Sequence, residues 1–104
     1  MNPIERTSTP LPMTAEGQLV KGDIGTQTRT VNERIAATLG ECGASLADVI
    51  RATVWLFDGN DVPAFNEEYR RHFGAALPAR STVQAQLYGG AGIEIEVQAL
   101  APGR

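Results

Sequence analysis

Two alternating stretches in the last third of the chain constrain the fold more than any other feature. From Ala79 to Leu87 one parity is small or apolar (Ala79, Ser81, Val83, Ala85, Leu87) and the other is polar (Arg80, Thr82, Gln84, Gln86). From Ile93 to Ala99 the pattern repeats, with Ile93, Ile95, Val97 and Ala99 against Glu94, Glu96 and Gln98. Period two marks a strand, because successive side chains point to opposite faces of a sheet. The Gly-rich segment Gly89-Gly90-Ala91-Gly92 lies between them, so the pair reads as a hairpin. Closure around Gly90 would set Arg80 opposite Leu100 and Glu94 opposite Gln86.

Upstream, the period changes. Val31, Ile35 and Leu39 recur every four residues, which predicts a helix from Thr26 to Leu39 stopped by Gly40 or Gly43. Asp48 to Phe57 is crowded with Val49, Ile50, Thr53, Val54, Trp55 and Phe57 and predicts a strand, with both faces largely apolar from Ala52 to Phe57 and so both expected to be covered. A second helix follows, capped by Asn60 or Asp61. It runs to about Phe73, buries Val62, Phe65, Tyr69 and Phe73, and is closed by Gly74. Glu67, Glu68, Arg70 and Arg71 read as its solvated face. His72 falls in its last turn, where a cation suits the helix dipole. Residues 1–12 read as a short edge strand or a flexible tail, and Ala15-Glu16-Gly17-Gln18 as a turn. The expected architecture is one α+β domain over residues 1–104, with two helices on one face of a small, mostly antiparallel sheet.

Composition narrows the function classes. The chain has 104 residues and formal net charge −3, and its basic residues, a single lysine among them, form no stripe. That argues against nucleic acid and against an anionic membrane surface. No apolar run approaches the ~20 residues of a membrane helix, and no charged segment leads into an apolar one at the start. One His and one Cys leave metal sites poorly supplied, so no metal is expected. The lone Cys42 allows no internal disulfide, which fits a reducing, cytoplasmic setting, and it reads as a small apolar filler.

Candidate chemistry falls on the polar parity of the last two strands. Arg80 is a fixed cation with a planar fork suited to a carboxylate, and Glu94 or Glu96 has the chemistry of a general base. Taken alone, these residues also suit the solvent face of an amphipathic sheet. In the hairpin register Arg80 and Glu94 stand about 20 Å apart, six residues at ~3.3 Å each. They would serve one small substrate only if two copies of the chain met around a symmetry axis.

Several ordered blocks resemble the RidA/YjgF/UK114 family. They are Gly22-Asp23-Ile24-Gly25-Thr26-Gln27-Thr28-Arg29, Gly43 to Val49, Phe65-Asn66-Glu67-Glu68-Tyr69, Pro78-Ala79-Arg80-Ser81-Thr82-Val83 and Ile93-Glu94-Ile95-Glu96. The resemblance covers roughly residues 11–101. It implies a chorismate-mutase-like α+β fold assembled as a homotrimer with clefts between subunits. It further implies hydrolysis of reactive enamines and imines, such as 2-aminoacrylate, to a 2-keto acid and ammonia without a cofactor. By that resemblance Arg80 grips the substrate carboxylate and Glu94 positions the attacking water, while Asn66 and Thr82 line the cleft. A non-catalytic module of the same fold that binds small carboxylates is the alternative. The ribonuclease label carried by some relatives fits poorly with one His and net charge −3. The family's Gly-Pro-Tyr-Ser-like opening and the strand ending in Ser-Gly-Gln are absent, which predicts a narrower sheet. Thr82 stands where many relatives have Cys. Tyr88, Trp55 and Phe57 are the residues that could replace the missing aromatic wall, with core packing the expected role of the last two.

Overall fold

The computed structural model describes residues 4–7, 18–20, 22–74 and 77–100. The turn read at 15–18 and most of the segment 1–12 fall outside them. Within that segment a strand does form, β1 (Ile4–Thr7). The other elements are α1 (Ile24–Glu41), β2 (Val49–Leu56), α2 (Val62–Phe73), β3 (Ala79–Gln84) and β4 (Ile93–Leu100), with short 3-10 turns at Leu46–Asp48, Gly59–Asp61 and Tyr88–Gly90.

Helix α1 begins two residues before the periodicity does. Asp23 is extended (φ −72°, ψ 170°) and its carboxylate accepts from the Thr26 amide at 2.8 Å, which satisfies one of the helix's orphan donors. The helix ends in a Schellman turn: Ala44 N–H donates to the Leu39 carbonyl (2.8 Å) and Gly43 N–H to that of Gly40 (3.1 Å). Gly43 takes φ +78°, so of the two glycines it is the one that makes the stop.

The sheet order is β1-β4-β2-β3. β4 is antiparallel to both β1 and β2, whereas β2 and β3 are parallel. The expected hairpin between the two alternating strands therefore does not form: β2 lies between them. Periodicity identifies a strand but not its partner. The eight residues from Ala85 to Gly92 far exceed the two-residue turn that would favour direct pairing. Helix α2 instead carries the chain from β2 to β3 as a crossover, the connection that parallel neighbours need. β3 is polar and mostly exposed, which suits an edge strand.

Both helices cover one sheet face. In β4 burial alternates residue by residue, with Ile93, Ile95, Val97 and Ala99 at 0–1% exposure. They meet Val31, Ile35 and Leu39 of α1, Phe65, Tyr69 and Phe73 of α2, and Ala52, Val54 and Leu56 of β2 in one core. Each large aliphatic side chain so buried contributes roughly 1.5–3 kcal/mol. Among the described residues no layer covers the other sheet face. Across it run three rows set by the register: Glu94, Trp55, Val83; then Glu96, Thr53, Ser81; then Gln98, Arg51, Ala79. A bulge at Ile50, between the Val49–Ala99 and Arg51–Gln98 pairs, turns Ile50 to the surface.

Candidate functional site

Arg80 lies beside Ala52 in the β2–β3 register, and Ala52 is buried under the helices. Adjacent partners in a ladder point to the same face, so Arg80 rises on the helix side at the sheet edge. There α2 presents a row at i, i+4 and i+8, namely Phe65, Tyr69 and Phe73, with ring centroids 5.1 and 4.5 Å apart. The Arg80 guanidinium carbon sits 5.1 Å from the Phe65 centroid and 5.0 Å from that of Tyr69. Such contacts are worth about 0.5–1 kcal/mol at exposed sites and fix the plane of the fork.

Beside this stack is a pocket of about 260 Å³ lined by Asn66, Tyr69, Arg70, Leu77, Pro78 and Arg80. Asn66 Oδ1 and the Tyr69 hydroxyl are buried and have no hydrogen-bond partner among the described residues. A buried polar group left in that state costs about 1–3 kcal/mol, which a ligand can repay. Burial pushes the Tyr69 hydroxyl up to about 12, against the opposing pull of the Arg80 charge. It therefore stays a protonated donor throughout the neutral range.

Thr82 points to the same side of β3 as Arg80, one pleat repeat further on, and is not part of the pocket wall. Glu94 is elsewhere. It is half-buried on the bare face, opposite Trp55, and burial first and Glu96 second push its carboxyl above the usual range. The expectation that Arg80 and Glu94 share one polar face is overturned: within a chain they occupy opposite faces of the sheet. Arg80 is level with Val97 and Glu94 with Val83. Their backbones are thus about 10 Å apart along the strands and about 10 Å across them.

Other assignments also change. Trp55 is half-buried on the bare face and Phe57 is 54% exposed, so neither packs in the core; Tyr88's side chain lies outside the described residues. Glu68 is buried rather than solvated. It accepts from His72 Nε2 (2.8 Å) and Arg71 Nη1 (3.2 Å), and Arg29 Nε stands at 3.7 Å. That cluster ties α1 to α2 and gives His72 a structural task. Sequence reasoning missed Tyr69 and Arg70 as pocket residues. Tyr69 followed the core periodicity, and Arg70 stood in a run of charges. The available signal was the polar parity of β3 running beside an aromatic helix row.

Among the described residues no three His, Cys, Asp or Glu side chains converge as a metal site, and no helix is long and apolar enough to cross a membrane. Fold and pocket define a class: a two-helix α+β layer with an arginine held on aromatic rings at the sheet edge. Over residues 3–102 the chain matches the family model described as Endoribonuclease L-PSP. A RutC family protein of Pyrococcus abyssi is 52% identical over 68 residues, 65% of this chain and 54% of that one. A 2-iminobutanoate/2-iminopropanoate deaminase of Capra hircus is 37% identical over 87 residues, 83% of this chain and 64% of its own length. The crystal structure of RidA from an Antarctic Psychrobacter superposes with TM-score 0.89 at 31% identity, covering 93% of this chain and 80% of that chain. The chain belongs to the RidA/YjgF family. It spans less than two thirds of the length of these two curated relatives.

Proposed function

We propose that the chain hydrolyses 2-imino and 2-enamino acids to 2-keto acids and ammonia, in a cleft that two copies of the chain build together. The observation that carries this reading is the Arg80 guanidinium, held on two rings beside a pocket whose wall has no carboxylate. A planar fork so fixed is prepared for the carboxylate that every such substrate has. The described relative named a 2-iminobutanoate/2-iminopropanoate deaminase supports the same chemistry.

The reaction asks little of the protein. The iminium carbon is already electrophilic, so no cofactor is needed. Arg80 holds the carboxylate, and Asn66 Oδ1 and the Tyr69 hydroxyl supply the remaining polar contacts. Glu94 of a second copy takes a proton from water as its oxygen bonds to the iminium carbon, giving a carbinolamine. Return of that proton to nitrogen makes ammonia the leaving group; as the C–N bond breaks, the hydroxyl oxygen forms the C=O bond and gives its proton back to the Glu94 carboxylate, leaving the keto acid. A carboxyl raised by burial exchanges protons near neutrality more readily than an ordinary one. The second copy is required because Glu94 and Arg80 of one chain face apart. The bare sheet face, with Trp55, Thr53 and Val83 uncovered, is the surface on which a neighbour's β3 edge would pack, and a closed ring of three repeats that contact. Cys42, partly buried at the end of α1, suits the reducing cytoplasm we assign to it.

The test is ammonia release from 2-aminoacrylate generated in situ. Acceleration over buffer, lost in Arg80→Ala and in Glu94→Gln, supports the reading. Absence of acceleration by the folded oligomer removes it. A carboxylate-binding module without turnover would instead show thermal stabilisation by 2-oxobutanoate that Arg80→Ala abolishes.

A further inference from the structure

The pocket holds more positive charge than one carboxylate neutralises. Arg70 and Arg80 both form its wall, and no Asp or Glu does. Neither arginine has an ion-pair partner among the described residues. The carboxylates of α2 are engaged on the other side of the helix. Glu67 binds Arg71 at 2.9 Å, and Glu68 is taken by Arg71, His72 and Arg29. Arg70 is one turn beyond Asn66 on the helix (i, i+4), so the buried Asn66 carbonyl and the Arg70 guanidinium share a face. Leu77 and Pro78 complete the wall with apolar surface. Two cations and an apolar strip around about 260 Å³ match a small molecule with an acid group at each end of a short hydrocarbon linker.

The geometry points to 2-imino dicarboxylic acids as the preferred substrates of this pocket. Arg80 takes the carboxylate next to the reacting carbon, and Arg70 takes the distal one. This assignment rests on the deaminase reading for its chemistry and on Arg70 for its specificity. Arg70 is exposed, so its contribution is that of a partly screened ion pair, about five-fold in affinity.

The test uses the full chain in its native oligomer and compares 2-oxoglutarate, 2-oxobutanoate and inorganic phosphate by titration calorimetry at low and high salt. A second arm compares kcat/KM for the imines released from L-glutamate and from L-alanine by an amino-acid oxidase. We expect 2-oxoglutarate to bind about five-fold tighter than 2-oxobutanoate, a ratio that falls as salt rises. In Arg70→Ala that ratio, and the matching ratio of kcat/KM, should collapse to about one. Equal binding of the two keto acids overturns the inference. So does a ratio unchanged by Arg70→Ala, or phosphate binding as tightly as 2-oxoglutarate. Turnover without dicarboxylate preference sinks the specificity and leaves the deaminase reading standing. Dicarboxylate preference in binding without turnover of either imine does the reverse.

Discussion

Replacing Tyr69 by Phe should stabilise the unliganded protein while weakening its hold on a small carboxylic acid. Tyr69 is 2% exposed, and its hydroxyl is buried without a partner. Deleting an unsatisfied buried hydroxyl recovers about 1–3 kcal/mol of desolvation cost. The lost oxygen forfeits a few dispersion contacts of about 0.1–0.2 kcal/mol each. The net expectation is a gain of about 1 kcal/mol, or roughly 5 °C in Tm for a domain of this size. Thermal unfolding at neutral pH and fixed protein concentration reads it, since an oligomer's Tm depends on concentration. A second readout follows from titration. The folded-state value of about 12 lies above the ordinary 10, so the wild-type fold's preference for the protonated phenol holds in full below pH 10 and is lost as pH rises through 12, which widens the advantage of Tyr69→Phe. Two pKa units correspond to about 3 kcal/mol, so the wild-type protein should lose stability by that amount across this window more than Tyr69→Phe does. With saturating 2-oxobutanoate the order reverses, because the wild-type hydroxyl now donates to the ligand. A variant less stable than wild type by about 0.5 kcal/mol or more, without ligand, would show that the hydroxyl already has a partner and that the pocket is not waiting for one.

Three further perturbations follow from the geometry. Glu94 acts deprotonated and its carboxyl is raised by burial and by Glu96, so kcat/KM should climb with pH through a point above the usual glutamate range, and Glu96→Gln should move that limb to lower pH. Glu68→Ala removes the acceptor shared by His72, Arg71 and Arg29; because those arginines rehydrate, we expect a loss of about 2 kcal/mol in denaturant unfolding rather than the ~3–5 of a fully enclosed pair. Gln27 accepts from the Gly92 amide at 2.9 Å and donates to the Gly22 carbonyl at 3.0 Å, so Gln27→Ala should cost about 1–2 kcal/mol and speed hydrogen exchange at Gly92.

Much of the fold is legible in the sequence because burial and periodicity report the same thing. Ile93, Ile95, Val97 and Ala99 face the core as their alternation says, and Val31, Ile35 and Leu39 do so at helical spacing. Pairing is less legible. Strands β3 and β4 carry the same period-two pattern, yet both pair with β2, and nothing in the alternation distinguishes a neighbour from a strand one place further. Sidedness failed on β3 for a related reason. An edge strand does not bury its apolar parity by necessity; Val83 is 46% exposed, while the polar Arg80 turns inward onto Phe65 and Tyr69. The candidate site suffered most. Arg80 is legible from the polar parity of β3 and Asn66 through resemblance alone, and the structure puts both at one pocket. The shared polar parity puts Glu94 on Arg80's face, whereas in the folded sheet it lies on the other. Arg70 looked like one more solvated charge until its carboxylate neighbours proved to be engaged elsewhere.

The most direct measurement is subunit complementation. Arg80→Ala and Glu94→Gln chains, each inactive alone, are mixed one to one, unfolded together and refolded. In a ring of three where every site draws its arginine from one copy and its glutamate from the next, random assembly restores about one quarter of wild-type deaminase activity. Recovery near that fraction confirms that the reacting groups come from different copies. A refolded mixture of wild-type size that stays inactive contradicts it.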